Sequence, residues 1–272
     1  MQLTPKRCNR SWYTALIAKV ALITCLLLSS TYTHAQRVLL AGDSLTVKEN
    51  DIEFLFVHGG SFVMGSNNLD EEMPAHNVAV RGFYLSKYEI TQRIWKTVMG
   101  YNESEHLNCE DCPVENVSWN EIQRFIGKLS QKTGKHYRLP TEAEWEFAAS
   151  GGIYSKHYIY AGSNDAEAVA WYWGNGKGKT HPVGQKKPNE LGFFDMSGNV
   201  EEWCNDWWDY HFYSRSPVSN PQGPASGTKK VVRGGDFSIP APGVTIKCRA
   251  VYGQEPDLVG KYYGFRLARD CQ

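Results

Sequence analysis

No surplus of either charge exists in this sequence: 29 Lys and Arg stand against 29 Asp and Glu in 272 residues. That balance excludes the basic surface by which a protein holds nucleic acid, and it leaves no acidic tail for a chaperone-like partner. Repeats, heptads, long linkers and blocks of like charge are missing, so one domain is the economical reading. Nucleophilic constellations are missing as well. Ser61 lies in Gly-Ser-Phe rather than in a nucleophile elbow, His58 falls in an expected hairpin, and His181 precedes a proline with no metal partner at the needed spacing. The glycines of WGNGKGKT lack the strand before and the helix after that a phosphate loop requires.

Long apolar runs are absent except for one, VALITCLLLSS, which follows Lys6, Arg7 and Arg10 and is too short to span a bilayer comfortably. Ala35 then stands where a signal peptidase cuts, before Gln36. Residues 1–35 read as a signal peptide, 36–50 as a polar lead-in and 51–272 as the domain; the alternative for the run is an uncleaved anchor. The mature protein is expected to be exported (periplasmic, cell-surface or secreted) with no transmembrane span. Five of the seven cysteines remain after the cut: Cys109, Cys112, Cys204, Cys248 and Cys271. Cys109 and Cys112 form a lone CxxC in a polar loop, without further soft ligands and without the helix start of a redox motif. A short-loop disulfide is expected there.

What the chain has in quantity is aromatic side chains, 13% of residues, with 9 Trp and 15 Tyr. Many stand beside glycine, which favours a loop-rich fold whose rings bury a face and hydrogen-bond at a tip. IEFLFVHGGSFVMGS reads as a hairpin about Gly59-Gly60, and RGFYLSKYEIT as a further strand. Thr91 opens a short helix stopped by Gly100. Ser118 with Glu121, and Thr141 with Glu144, are capping boxes opening two more, ended by Gly134 and Gly151. The acids Glu121, Glu142 and Glu144 are explained by those helix starts. Beyond Gly152 a compact irregular region is expected, too aromatic to be disordered.

Two stretches bear on chemistry. Asp195-Met-Ser-Gly198-Asn-Val200-Glu-Glu202 supplies two carboxylates and a glycine-permitted wrap, as a calcium site of carboxylate and carbonyl oxygens requires. It equally suits a turn whose Asp and Asn side chains bond their own backbone. The second stretch, RGGDFSIPAPGVTIKC, opens like the last strand of an enzyme core and then turns apolar.

The ordered motifs GGSFVMGS, YLSKYEIT, PVENVSW, YRLPTEAEWEFAA, HPVGQKKPNELGFFDMSGNVEEW, VVRGGDF and YGFRLA cover the chain from about Phe54 to Ala268. In them the chain resembles the formylglycine-generating enzyme, or sulfatase-modifying factor, family. The resemblance implies a single irregular α+β domain, a C-type-lectin-like variant with little regular secondary structure. It implies calcium at Asp195, Gly198, Val200 and Glu202, and a second calcium site around residues 170–179 for which no acidic ligand is evident. Catalytic members hold Cu(I) on two cysteines, five residues apart, after the glycine pair. Counted from Arg233, those positions are Ile239 and Val244, and neither side chain can ligate copper or exchange thiols. Cys248, alone or with Cys204, is the nearest substitute, and a disulfide or two buried thiols is the plainer expectation for that pair.

The reading that results is an exported domain of this type without oxidase activity, with calcium as cofactor and copper not expected. It would act in binding or in surface and envelope assembly. One alternative is an active copper- and oxygen-dependent oxidase with a displaced metal site; another is a lectin-like binder with a variable C-terminal face. Phe237, Ser238, Ile239, Val244, Tyr252, Tyr262 and Tyr263 are the candidates for that face, toward a protein, peptide or glycan, and the competing reading for many of them is core packing.

Overall fold

The computed structural model describes residues 46–271. The expected signal peptide, and most of the lead-in, fall outside the described residues. The domain takes in the end of that lead-in: β1 (Thr46–Glu49) pairs along its whole length with β2 (Ile52–Val57). An antiparallel sheet runs in the order β1, β2, β5 (Phe83–Ser86) and β9 (Ala268–Asp270), so the two ends of the domain share it.

The expected hairpin about Gly59-Gly60 does not form. β3 (Gly60–Met64) pairs instead with β4 (His76–Val80), in a separate two-stranded sheet. The cause lies in the backbone at Gly59, where a Cβ would meet the Val80 carbonyl oxygen at 2.7 Å and the Gly82 nitrogen at 2.8 Å. The chain crosses there from one sheet to the other, and only glycine permits the approach. A third sheet centres on β6 (Glu201–Trp207), antiparallel to β7 (Lys230–Arg233) and parallel to β8 (Tyr263–Gly264).

The helices start where their caps are written. In α1 (Gln92–Met99) the Thr91 hydroxyl accepts from the Ile94 N–H, and Gly100 leaves at a φ of 91°. Both bonds of the capping box are made at α2 (Trp119–Thr133) and again at α3 (Glu142–Ala149). A single turn, α4 (Ala166–Val169), follows inside the irregular region. Trp95 of α1 and Phe125 of α2 stack with ring centres 5.2 Å apart and planes 2° from parallel, and the Phe265 ring abuts both edge-on. Burying each such ring stabilises the fold by roughly 1.5–3 kcal/mol. Among the described residues no helix is long and apolar enough to cross a membrane.

Helix α3 positions the site. It lies against β3, β4, β6 and β7 and is buried nearly throughout, acids included. Glu142 and Glu146, one turn apart, face inward. Glu142 Oε1 accepts from Tyr213 Oη at 3.0 Å and Arg249 Nε at 2.8 Å. Glu146 accepts from Arg233, from Lys247 Nζ at 2.7 Å and from the Gly65 N–H at 2.9 Å. Burial alone would lift the Glu146 carboxyl, but Lys247 and Arg233 hold it below its usual range. Arg233 also donates to the carbonyls of Lys247 at 3.0 Å and Cys248 at 2.6 Å. Both ends of the segment after β7 are thus tied to one helix.

Candidate functional site

Between those ties, Gly234 and Gly235 turn the chain at φ values of 96° and 68°. A Cβ on Gly235 would lie 2.5 Å from the Gly243 carbonyl oxygen and 2.8 Å from Val244 Cγ1, so a side chain is excluded at the turn. Asp236 is buried and accepts from the Ser238 N–H at 2.6 Å. Residues 241–244 then make a 3-10 turn. Ile239 Cγ2 packs over the Gly243 α-carbon, and Val244 is fully buried beside Gly235. Where the resemblance places two thiolates, the segment holds a hydrocarbon plug.

The remaining thiols do not form a substitute. Cys204 and Cys248 are both free thiols, so no Cys204–Cys248 disulfide is present. Burial, followed by the charges of Asp206 and Glu142, pushes the Cys204 thiol well above its ordinary value, and burial pushes Cys248 up to about 11. Both are kept as thiols, the form that neither attacks nor binds a soft metal readily. Cys109 and Cys112 do form a disulfide. Their loop caps α1, the carbonyls of Cys112 and Glu110 accepting from the N–H groups of Gln92 and Arg93.

The expected ligand face divides. Phe237 is buried, its ring centre 5.2 Å from His106 and 5.7 Å from Tyr262, and Val244 is buried as well. These two are core, because the segment folds back on its own glycines, and they offer no surface. Tyr252 is 70% exposed but belongs to a corner built from Lys229 and Trp208. Ser238, Ile239, Tyr262 and Tyr263 are half-buried.

Two neighbours escaped the sequence reading. Trp173 is 71% exposed and its backbone N–H donates to the Ile239 carbonyl at 3.0 Å, which places an open indole beside the plug. The signal was the run WYWGNG, whose three rings a loop of small polar residues cannot all bury. The other is Glu201, held up to about 8 by burial and then by the charge of Asp236, whose own carboxyl burial also raises. A carboxylic acid kept protonated can donate a hydrogen bond at neutral pH.

Asp195, Gly198, Val200 and Glu202 come together in one tight loop, with Asp195 at a φ of 58° and Gly198 at 81°. Asp195 Oδ2 accepts from the Gly184 N–H at 2.7 Å, while Oδ1 is buried without a partner. Glu202 is engaged on both oxygens: Arg266 donates to each at 2.6 Å and Trp145 Nε1 to Oε2 at 2.7 Å. Glu89 joins them, taking Asn199 Nδ2 at 2.6 Å and the Val200 N–H at 3.2 Å. Three buried carboxyls thus face one guanidinium. Burial, then the charges of Asp195 and Glu202, push the Glu89 carboxyl well above its ordinary value, and burial lifts Asp195 to about 6; a divalent cation against the orphaned Oδ1 would relieve that crowding of acids. Glu202 would have to share its carboxylate between that cation and Arg266. Among the described residues no three His, Cys, Asp or Glu side chains converge as a metal cluster, so any such site must lean on carbonyl oxygens.

Comparison with known proteins agrees with this frame. The Treponema denticola variable protein 1 superposes with a TM-score of 0.76 at 30% identity, over 83% of this chain and 98% of that one. PvdO from Pseudomonas aeruginosa gives 0.72 at 25% identity, over 85% and 100%. In sequence, the chain is 34% identical to the chaperone protein LppX of Paenibacillus barcinonensis over 61% of this chain and 74% of that protein. It is 32% identical to the serine/threonine-protein kinase Pkn1 of Chlamydia trachomatis over 81% of this chain but only 38% of the kinase. It is 34% identical to the formylglycine-generating enzyme of Streptomyces coelicolor over 58% and 53%. Residues 43–271 match the sulfatase-modifying factor enzyme 1-like domain, and the chain belongs to that family.

Proposed function

We propose that this is an exported member of the family that has kept the frame, lost copper–oxygen chemistry and acts by binding. The observation that carries the reading is the pair Ile239 and Val244, two hydrocarbon side chains packed on Gly243 and Gly235. Cu(I) needs soft ligands, and oxygen activation needs the metal. Cys204 and Cys248 are not bonded to each other, and burial raises both thiols. Export rests on the basic, apolar and small-residue pattern of residues 1–35.

The binding face is Trp173 with Ser238, Ile239, Tyr262 and Tyr263, toward a protein, peptide or glycan. Exposed aromatics concentrate contact energy, and the ties from Arg233 and Lys247 to α3 hold the face rigid. Calcium held by Asp195, the carbonyls of Gly198 and Val200, and Glu202 would supply charge balance and stiffness rather than reactivity. Purified protein, loaded with Cu(I) in air, is to be incubated with a Cys-x-Pro-x-Arg peptide and followed by mass spectrometry. An unchanged peptide is expected; formylglycine in the product would overturn the reading. In parallel, Trp173→Ala is expected to abolish signals on peptide and glycan arrays that the parent protein gives.

A further inference from the structure

A cavity of about 1030 Å³ opens elsewhere on the domain, walled by β3, the loop that follows it, residues 150–160 and residues 242–247. Its edge strand is unusual. β3 has β4 on one side and, among the described residues, no strand on the other. Ser61 faces Ala79 in the register, and Val63 faces Asn77. The Ala79 N–H and C=O are both used on the far side of β4, bonded at 2.7 Å to the Val218 carbonyl and the Asn220 N–H. Ser61–Ala79 is therefore a non-hydrogen-bonded pair, and so is Val63–Asn77 two residues along. It follows that the main-chain groups of Ser61 and Val63 point away from β4, toward the cavity. One of them is satisfied there: the Val63 carbonyl accepts from Lys247 Nζ at 2.7 Å. The Ser61 N–H, the Ser61 carbonyl and the Val63 N–H have no hydrogen-bond partner among the described residues.

Proteins usually blunt an open edge with proline, lysine or a cover. Gly-Ser-Phe-Val-Met has neither residue. The lining adds selectivity. Val63, Ile153 and Ile159 are exposed and apolar, and Tyr158 and Tyr160 stand among them. Glu72 and Lys247 are the acid and the ammonium of the lining, and each has a partner inside the protein, Ser66 Oγ and Glu146. One acid stands against one ammonium in the lining, so the two balance and an uncharged occupant complements it.

We propose that this cavity takes an extended, uncharged peptide, which adds a strand to the free edge of β3. Main-chain hydrogen bonds to Ser61 and Val63 hold it, and its alternate apolar side chains rest on Val63, Ile153 and Ile159. The site shares no residue with the face around Trp173, so each stands or falls alone.

The probe is a library of terminally blocked heptapeptides with alternating apolar and neutral polar residues, presented to the full domain. Selected peptides are expected to slow hydrogen exchange at the Ser61 and Val63 amides. N-methylation at the residues facing β3 is expected to weaken them about tenfold or more, since each lost hydrogen bond between buried groups is costly. Val63→Pro removes a donor that β4 does not use and should lower affinity to the same degree while the melting temperature stays near that of the parent. Val63→Ile, which keeps the amide and an apolar side chain, should bind as the parent does. Trp173→Ala should leave this binding untouched. Equal binding of the N-methylated peptides would overturn the proposal, as would failure to enrich any heptapeptide, or displacement of bound peptide only by neutral oligosaccharides.

Discussion

Arg266 closes on Glu202 through two hydrogen bonds of 2.6 Å each, Nε to Oε2 and Nη2 to Oε1, with both side chains buried. The same guanidinium donates to the carbonyls of Ser86 at 3.0 Å and Phe194 at 2.9 Å. One residue thus joins β5, the loop of Phe194 and Asp195, and β6. Breaking such a pair from one side strands the other charge. Arg266→Met is expected to cost about 3–5 kcal/mol in urea unfolding. Glu202→Gln made in the Arg266→Met background should recover part of that loss, because no ion is then left alone. Additive losses in the double variant would contradict the coupling.

Calcium is checked by its removal. If the cation occupies the Asp195 loop, free calcium at about one hundred times its Kd raises unfolding free energy by about 2.7 kcal/mol. A chelator should reverse the rise. Asp195→Ala, which deletes the orphaned Oδ1, should make the melting temperature insensitive to both. A parent protein whose melting curve ignores calcium and chelator alike removes calcium from the account.

The pH dependence of stability has a separate source in Asp206. Burial, and next the charge of Glu142, lift its carboxyl to about 8. Between the ordinary Asp value and 8 the folded state therefore holds a proton that the unfolded chain has released. Stability contributed there is full at low pH and is lost as pH rises through that window. Asp206→Asn keeps an oxygen for the Glu142 N–H, which Asp206 Oδ2 accepts at 3.0 Å, and cannot ionise. Denaturation series at pH 5 and pH 8 should show the parent losing stability across the interval and the variant losing much less. Equal slopes would place the pH dependence elsewhere.

Caps offer a simpler measurement. Ser118 Oγ accepts from the Glu121 N–H at 3.2 Å, and Glu121 Oε2 returns to the Ser118 N–H at 3.0 Å. Ser118→Ala should cost about 0.5–2 kcal/mol, and Ser118→Asp should restore most of it. A neutral Ser118→Ala would mean that packing of Ile122, Phe125 and Leu129 alone starts the helix.

These caps were also the most legible part of the sequence, because a capping box is a local device whose partners lie three residues apart. Thr91, Ser118 and Thr141 each open a helix where their neighbours say so. The hairpin about Gly59 was misread for the opposite reason: what forbids it is the 80–82 backbone, about twenty residues on, which no local pattern reports. The positions where the resemblance expects cysteines can be counted from the glycine pair, but the plug that Ile239 and Val244 make there cannot. Packing of Ile239 on Gly243 and Val244 on Gly235 needs the 3-10 turn between them. Phe237 is open to both readings in the sequence, ligand face or core, and is core, since its ring lies against His106 and Tyr262 from distant loops.

The anchoring of the segment after β7 has a broader consequence. Arg233 grips the carbonyls of Lys247 and Cys248, and Lys247 in turn grips Glu146. Both feet of the arch are clamped to the same helical post and Phe237, Val244 and Ile246 are packed inside, so only its half-open crown, residues 238–243, bears little of the load. Side chains on that crown can therefore be exchanged at small cost while the masonry beneath keeps its shape.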